Sequence, residues 1–278
     1  CQLSRTALYA KDLPFYKILD FQDAFSLNYQ RIHQQSNGWK KIFYARESHS
    51  MKLFEKKIMT WFNKTTIISA FDKQQIENVE TITVVPNGVD SQYFSPQNSS
   101  KKVDLLFLGN MNYLPNKQAV FYLLEKISPL ILSEVPTLKI AIAGAGSEKF
   151  QSYKSDNIHI TGWQEDIRNA YKEARIFIAP LFTGAGMQNK LLEAMSMGLP
   201  CITTSVTNVS LQADEQVHLL IANDAPAFVE KILLLLHNTE KQKQIGHNAR
   251  AFICERYTWE KANTPLLALI NEPNIFVG

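Results

Sequence analysis

The sequence predicts an α/β protein built on parallel β-sheets. Short segments that are apolar along their whole length alternate with segments of helical periodicity through most of the 278 residues. Continuously apolar strands are typical of parallel sheets that helices cover on both faces. Glycines follow several of these strands, and ligands bind at the carboxyl ends of the strands in such sheets. We therefore expect the functional site at those strand ends.

The first 85 residues contain three predicted strands and one long helical region. The strands are Tyr16–Phe21, Thr65–Ser69 and Thr81–Val85, and the helical region is Lys40–Phe62. The turn signal Pro-Asn-Gly-Val-Asp follows at residues 86–90, and a polar stretch comes soon after it. This change of pattern predicts a domain boundary.

After that boundary the alternation of strands and helices is regular. The predicted strands are Val103–Leu108, Leu138–Ala143, Ile158–Thr161, Arg175–Ala179, Cys201–Thr204 and His218–Ala222. The predicted helices cover residues 115–133, 166–174, 186–197, 226–237, 241–257 and 259–270. Pro115 suits the first turn of its helix, where the missing N–H costs nothing.

The composition indicates the general class of the protein. Its 45% hydrophobic and 20% charged residues are typical of a soluble globular protein. No apolar run reaches the ~20 residues of a membrane-spanning helix, and no signal peptide is visible. Three widely separated cysteines, Cys1, Cys201 and Cys254, form no disulfide framework, which indicates a reducing cytosol. Because the chain begins at Cys1 rather than Met, we expect that its natural N-terminus is missing.

The sequence lacks the motifs of several common enzyme classes. Gly144-Ala145-Gly146 resembles half of a dinucleotide fingerprint, but Lys149 stands where the third glycine belongs, so we do not expect a nicotinamide enzyme. The six histidines show no metal-binding spacing. Neither the P-loop of NTPases nor the serine elbow of α/β hydrolases occurs. We therefore predict neither a metal nor a cofactor.

A loop with two glycines, residues 183–188, connects a predicted strand to a predicted helix. Backbone N–H groups and the positive end of the helix converge there, which suits an anion such as a diphosphate. On that helix Lys190 and Glu193 are three residues apart and share one face. Such a pair can hold a phosphate and a ribose hydroxyl, or it can be a local surface ion pair worth ~0.2–0.5 kcal/mol. Both interpretations are open at this point.

Asp23 follows the first predicted strand. A carboxylate at the carboxyl end of a parallel strand can bind sugar hydroxyls or act as a base. Alternatively, Asp23 caps the helix that is predicted to begin near Ser26.

Residues 28–64 carry eight basic and two acidic side chains, although the net charge of the whole chain is only +3. Met51, Phe54, Ile58 and Trp61 recur there at helical spacing. A basic amphipathic helix can lie on an anionic membrane surface, whereas a core-facing stripe with a solvated basic face is the more general interpretation. Nucleic acid is not an expected partner, because the patch is short and no recognised motif accompanies it.

Several short motifs occur in the order in which one enzyme family carries them. They are Val84–Asp90 with Tyr93-Phe94, Phe107–Gly109, Ala143–Gly146, Thr161–Trp163, Ala179–Leu181, Lys190–Met195 and Tyr257–Glu260. Together they resemble the retaining glycosyltransferases of family 4, across about Thr65–Asn271. Residues 1–60 resemble that family less distinctly.

The resemblance implies a GT-B fold, in which two Rossmann-like domains face each other across a cleft. It implies an incomplete acceptor-side domain in residues 1–86, a nucleotide-sugar-binding domain in residues 87–256, and a last helix in residues 257–278 that crosses back to the first domain. The implied activity is transfer of a sugar, with retention, from a UDP- or GDP-sugar to a glycan or lipid-linked acceptor in surface polysaccharide synthesis. The cysteine content predicts a cytoplasmic protein, and the basic helix of residues 28–64 suggests a peripheral position on the cytoplasmic face of a membrane.

The family's donor-binding residues map unevenly onto this chain. Glu193 matches the second glutamate of a paired motif and is expected to bind the donor ribose. The first glutamate of that pair falls on Ala185. Its contacts to the donor sugar would pass to Gln188, to Asn189 or to the backbone of residues 184–187.

Two further family positions differ. Asn110 stands where an arginine is common, which leaves Lys190 as the cation for the diphosphate, and Gln22 stands where a histidine is common, beside Asp23. We therefore expect Asp23 and Lys190 to be the catalytic residues. The donor-binding residues that the resemblance implies are Gly109, Asn110, Gly144, Gly162, Trp163, Gly184, Ala185, Gly186, Met187, Gln188, Asn189, Lys190 and Glu193.

Two other functions remain open. One is a non-catalytic or inactive fragment that binds nucleotide-sugars, which Ala185 and the incomplete first domain favour. The other is a related enzyme such as a nucleotide-sugar 2-epimerase, whose set of catalytic carboxylates and histidines is not found in this sequence.

Overall fold

The computed structural model describes residues 1–76, 79–184 and 186–271. The chain divides into two compact units. The first unit comprises Cys1–Gly88, the short segment Thr183–Met187 and the described part of Trp259–Gly278. The second unit comprises Val89–Phe182 and Gln188–Thr258. Each unit contains its own β-sheet.

The described strands are short and pair in parallel in both sheets. Numbered along the chain, they are β1 (Ile18–Asp20), β2 (Lys64–Ile67), β3 (Ile82–Val84), β4 (Val103–Leu108), β5 (Ile140–Ala143), β6 (Ile158–Gly162), β7 (Ala174–Ala179), β8 (Cys201–Thr203) and β9 (Leu220–Ile221).

The described helices cover most of the sequence between the strands. They are α1 (Ala7–Ala10), α2 (Phe25–Gln35), α3 (Trp39–Met59), α4 (Ala70–Gln75), α5 (Leu114–Tyr122), α6 (Ser128–Glu134), α7 (Arg168–Glu173), α8 (Asn189–Ser196), α9 (Ser205–Leu211), α10 (Ala225–His237), α11 (Thr239–Arg256) and α12 (Trp259–Ile270). A wider π-helical turn, Leu123–Ile127, joins α5 to α6. It precedes Pro129, whose ring would otherwise meet the carbonyl group of Glu125.

The first unit is built on a three-stranded sheet in the order β1-β2-β3. Leu19 of β1 pairs with Thr65 of β2, which in turn pairs with Ile82 of β3. The core of this unit includes Leu19, Ile58 and Ile67, each 0% exposed. Ile58 comes from α3, so this long helix forms one wall of the core.

The predicted core-facing stripe of α3 is confirmed. Ile58 is fully buried, and Phe54 and Trp61 pack against the same core. Trp39 and Ile42 lie on another face of α3, which is exposed to solvent. The helix therefore stabilises the unit through one face and presents a second apolar surface outward.

The N-terminus of α2 is capped from α3. The Glu55 carboxylate accepts hydrogen bonds from the Ser26 backbone N–H at 3.1 Å and from the Ser26 hydroxyl at 2.6 Å. Burial raises the pKa of Glu55, and the bonds from Ser26 oppose that rise. The residue at the N-cap position is Ala24. The alternative interpretation of Asp23 as the cap of this helix is therefore wrong.

The second unit is built on a six-stranded sheet in the order β6-β5-β4-β7-β8-β9. Leu105 of β4 pairs with Ile140 of β5 on one side and with Ile176 of β7 on the other. All three side chains are 0% exposed. The chain adds strands first on one side of β4 and then on the other, so the carboxyl ends of β4 and β7 flank a topological switch point.

The predicted α/β fold with two parallel sheets is confirmed, and β4 has the predicted bounds. The helix predicted for residues 186–197 begins three residues later, at Asn189, because Gly186 has a left-handed φ of 71°. The strand predicted for residues 218–222 is reduced to β9, since the His218 N–H bonds to the Asp214 carbonyl oxygen at 2.9 Å in a turn. Among the described helices, none combines the length and apolarity needed to cross a membrane.

Candidate functional site

The ends of the strands β4, β5 and β6 form one rim of the second unit. The Gly109 N–H, just after β4, donates to the Ala143 carbonyl oxygen at 3.1 Å. The Gly144 N–H, just after β5, donates to the Gly162 carbonyl oxygen at 2.8 Å. These bonds hold the carboxyl ends of three neighbouring strands at fixed spacing.

Gly144 is required by this close approach. Its φ is 112°, and a Cβ atom at this position would overlap the Gly109 carbonyl oxygen. Any side chain at residue 144 would therefore force the ends of β4 and β5 apart.

Lys190 lies in the first turn of α8 and reaches back toward β4. Its Nζ donates to Asn116 Oδ1 at 2.7 Å and to Gln188 Oε1 at 2.9 Å. A Cβ atom on Gly109 would lie 3.3 Å from Lys190 Cε, so the absence of a side chain at residue 109 leaves room for the lysine stem. Burial lowers the pKa of Lys190 to about 8, although the charge of Glu193 opposes that shift.

Glu193 lies one turn further along α8. Its Oε2 accepts a hydrogen bond of 2.8 Å from the hydroxyl of Tyr171, which is 0% exposed. Burial raises the pKa of Glu193, and both the bond from Tyr171 and the charge of Lys190 oppose the rise. Lys190 and Glu193 therefore each have hydrogen-bond partners of their own, which argues against a simple surface ion pair.

Sequence reasoning missed Asn116 and Tyr171. Asn116 is 4% exposed, and its Nδ2 donates to the Asn110 carbonyl oxygen at 2.8 Å, so it joins the Lys190 side chain to the loop after β4. One signal was available: Asn116 is a polar residue on the buried face of α5, with Ala119 and Val120. Tyr171 carries no comparable signal, because its role depends on a contact across 22 residues of chain.

The other residues of the second unit that were predicted to bind the donor make contacts that point less directly to a ligand. Asn110 Oδ1 accepts the Asn112 N–H at 2.9 Å, so this side chain shapes its own turn. Trp163 follows Gly162 at the end of β6 and is 69% exposed. Gln188 bonds to Lys190, and Asn189 is the first residue of α8.

The glycine-containing segment Thr183–Met187 belongs to the first unit. The Arg31 guanidinium donates to the Gly184 carbonyl oxygen. Gly186 has a φ of 71°, and a Cβ atom there would overlap Asp23 Oδ1. Met187 is 7% exposed. Ala185, also predicted to bind the donor, lies outside the described residues.

Asp23 Oδ1 is buried and has no hydrogen-bond partner among the residues that the structure describes. Burial raises the pKa of Asp23 to about 6, and the charges of Asp72 and Asp20 add to the rise while Arg31 opposes it. This carboxyl group can therefore change its protonation state near neutral pH.

Residues 102–238 match the protein family described as Glycosyl transferases group 1. A 44.6 kDa uncharacterized protein in the cps region of Klebsiella pneumoniae is 27% identical over 260 residues, which cover 88% of this chain and 66% of that protein. The UDP-Gal:alpha-D-GlcNAc-diphosphoundecaprenol alpha-1,3-galactosyltransferase of Escherichia coli is 27% identical over 176 residues, covering 55% of this chain and 44% of that enzyme. The chain thus spans 44% to 66% of the length of these two relatives.

The fold is also similar to a solved structure. The crystal structure of Anabaena HepE in complex with UDP aligns with a TM-score of 0.71 at 12% sequence identity, covering 96% of this chain and 81% of that one. At this identity the likeness shows the fold alone.

Proposed function

Because residues 102–238 match the family described as Glycosyl transferases group 1, we propose that the chain transfers a sugar from a nucleoside diphosphate donor to a glycan or lipid-linked acceptor, with retention of the anomeric configuration. The observation that carries this proposal is the half-buried Lys190 ammonium, hydrogen-bonded to two amide oxygens beside the end of β4. The amide oxygens orient the ammonium group and bring no opposite charge. A bound diphosphate would supply that charge.

The chemistry of transfer fits this arrangement. Cleavage of a glycosyl–phosphate bond develops negative charge on the leaving diphosphate. Lys190 and the N-terminus of α8, which has no side-chain cap, would stabilise that charge where it forms. Lys190 is proposed as catalytic on this ground.

Glu193 is proposed to bind the donor ribose. Tyr171 fixes its carboxylate through Oε2, and a carboxylate has a second oxygen that can accept a bond from a ribose hydroxyl. Gly109, Asn110, Gly144, Gly162 and Trp163 are proposed to complete the donor site along the ends of β4, β5 and β6. An exposed indole at that edge can stack on a nucleobase.

Asp23 is proposed as the second catalytic residue. A pKa of about 6 suits a group that takes up and releases a proton close to neutral pH. The donor-sugar contacts that a glutamate at position 185 would make are proposed to pass to Gln188, to Asn189 or to the backbone of residues 184–187.

A UDP-sugar is the preferred donor, and a GDP-sugar is the alternative. The name of the Escherichia coli relative specifies UDP-Gal. The same relative acts on a diphosphoundecaprenol-linked sugar, which supports a lipid-linked acceptor and a role in polysaccharide assembly.

The exposed face of α3 supports an approach to a membrane. Trp39, Ile42, Phe43 and Leu53 are 73%, 76%, 49% and 56% exposed. Their spacing places them along one side of the helix. Because basic residues of the same helix flank this stripe, we propose that α3 binds an anionic membrane surface, where a lipid-linked acceptor would be found.

A second candidate function is binding of nucleotide-sugars without catalysis. Ala185, at the position of the first family glutamate, favours it. Transfer assays on the chain separate the two functions: we expect the chain to release UDP from a UDP-sugar when a glycan or lipid-linked acceptor is present. The product should keep the anomeric configuration of the donor by NMR. Binding of UDP without any acceptor-dependent release would contradict the enzymatic proposal and support the second candidate.

A further inference from the structure

Arg250 projects from α11 and donates to three backbone carbonyl groups of the second unit. Its guanidinium group reaches the carbonyl oxygen of Ser196, the last residue of α8. It also reaches the carbonyl oxygens of Phe94 at 3.2 Å and of Ser91 at 3.3 Å, both in the segment before β4. Because a planar guanidinium group carries its donors in several fixed directions, one side chain can hold two separate segments of backbone together.

The C-terminal end of α8 lies directly against α11. A Cβ atom on Gly246 of α11 would overlap the carbonyl oxygen of Gly198, which follows α8. The last carbonyl groups of a helix lack partners within the helix, and a cation is favourable beside them. Arg250 supplies Ser196 with both a donor and a positive charge. The position of α8 is therefore fixed at the end opposite to Lys190.

Phe94 is held by α8 as well as by Arg250. The Ser196 hydroxyl donates to the Phe94 carbonyl oxygen at 2.7 Å. The Phe94 ring meets the Tyr171 ring edge-on, with 6.4 Å between the ring centres. The Tyr171 hydroxyl in turn donates to Glu193 Oε2. Arg250 is thus connected to both partners of the bond between Tyr171 and Glu193.

We propose that Arg250 is a positioning residue that holds Glu193 within hydrogen-bond distance of the Tyr171 hydroxyl. It acts on Glu193 through the end of α8, and on Tyr171 through Phe94. A carboxylate that recognises a ligand hydroxyl has to be held within a fraction of an ångström, and side chains around the site provide that support.

The two side chains of α8 in the donor site depend on Arg250 to different degrees. Lys190 is oriented by its own bonds to Asn116 and Gln188. The consequence for a ligand rests on the proposed function, in which Glu193 binds the donor ribose. Loss of Arg250 should therefore weaken recognition of the ribose hydroxyls and leave the attraction between Lys190 and a diphosphate.

The first measurement is hydrogen exchange of the ligand-free chain, followed by mass spectrometry of peptides that cover residues 193–199. The N–H groups of Met197 and Leu199 donate to carbonyl groups of α8, so their exchange reports how often the end of this helix opens. We expect exchange to be roughly tenfold faster in Arg250→Ala, the effect of losing one charged hydrogen bond. The matched control, Arg256→Ala, removes an exposed arginine of the same helix and should exchange like the unaltered chain.

The second measurement compares the affinities of UDP and of 2′,3′-dideoxy-UDP, which lacks both ribose hydroxyls. In the unaltered chain we expect UDP to bind roughly tenfold more tightly, since a hydroxyl bond to a carboxylate is charged. In Arg250→Ala this preference should fall to about twofold or less, whereas the affinity for the dideoxy compound should stay within about twofold of its original value. Arg256→Ala should keep the preference. A variant that had only lost stability would bind both nucleotides more weakly by the same factor.

Unchanged exchange of residues 193–199 in Arg250→Ala, or equal acceleration in Arg256→Ala, would overturn the proposal. Faster exchange with an undiminished preference for UDP would also overturn it. If peptides from β4 exchange faster as well, Arg250→Ala has lost its fold, and Arg250→Lys decides, because an ammonium group keeps the charge but lacks the planar fork. An unaltered chain that binds neither nucleotide, or both equally, would overturn the proposed role of the donor site, and the exchange measurement would still decide whether Arg250 holds the end of α8.

Discussion

Lys190 is bonded to two amide oxygens, which orient its charge and bring no opposite charge. Most exposed lysines are free to reorient, but this one is half-buried and lies beside Gly109 and Asn116. The cost of burying the ammonium group appears as a lowered pKa of about 8. A bound diphosphate would reverse that cost, because an adjacent anion favours the charged form.

This shift predicts a pH dependence of nucleotide binding. Affinity for UDP should be nearly constant from pH 6.5 to 7.5 and should fall as the pH rises through 8, because unbound Lys190 loses its proton there. At pH 9 about one tenth of the lysine is charged, so the affinity should be about tenfold lower than at pH 7. Titration calorimetry at several pH values measures this. In the variant Lys190→Met, the affinity for UDP should not change between pH 7 and 9. If the affinity of the variant falls with pH as steeply as that of the unaltered chain, Lys190 is not the group whose titration controls UDP binding.

At the scale of residues, sequence reasoning identified Lys190 and Glu193 because helical spacing places them on one face. It did not identify Asn116 or Tyr171. Each of these acts through a partner far away in the chain, such as the bond from Tyr171 to Glu193 across 22 residues. Local patterns carry no information about such contacts.

At the scale of elements, α3 has two apolar faces with different roles. Ile58 and its neighbours form part of the core, whereas Trp39 and Ile42 are among its exposed side chains. The periodic stripe in the sequence led to the buried face. The sequence analysis did not distinguish the exposed apolar face from the buried one. Aromatic residues and lysines alternate too closely along residues 39–57 for periodicity alone to assign each residue to a face.

The outer face of α3 predicts binding to lipid. The chain should co-sediment with vesicles that contain phosphatidylglycerol and much less with vesicles of phosphatidylcholine alone. The double variant Trp39→Ser, Ile42→Ser should bind at least about tenfold more weakly, since each large apolar side chain contributes about 1.5–3 kcal/mol when fully buried. Leu130→Ser, at an exposed position on α6, is the matched control and should bind normally. Binding that is independent of anionic lipid, or unaffected by the double variant, would rule out this role for α3.

The boundaries of some helices and strands can be predicted from the local sequence alone, and others cannot. Residues 103–108 form a strand with the predicted bounds, because a buried apolar run ends at a glycine. The start of α8 was predicted three residues too early, since Gly186 adopts a left-handed conformation and a Cβ atom there would overlap Asp23 Oδ1. A glycine in the sequence indicates that the backbone can adopt a left-handed conformation. The sequence alone does not indicate whether the folded chain adopts it.

At the scale of the whole molecule, two units with parallel sheets follow from apolar strands that alternate with helices. The second unit reverses its order of strand addition at β4 and β7, and Lys190 and Glu193 come from the helix that follows β7. This is where an open parallel sheet binds ligands. The match of residues 102–238 to the Glycosyl transferases group 1 family covers the same strands and helix, and the proposed activity depends on the donor site proposed there.

The most direct test is a calorimetric titration of UDP into the chain and three variants. We expect UDP to bind the unaltered chain, and affinity to fall by about 10- to 150-fold in Lys190→Met, the loss of a charged hydrogen bond worth about 1.5–3 kcal/mol. Glu193→Gln should weaken binding by about tenfold. Lys126→Met, which removes an exposed lysine of the π-helical turn, should bind like the unaltered chain. Equal affinity for UDP in Lys190→Met and Lys126→Met, or no binding of UDP and GDP to a chain that unfolds cooperatively, would contradict the donor site described for the second unit.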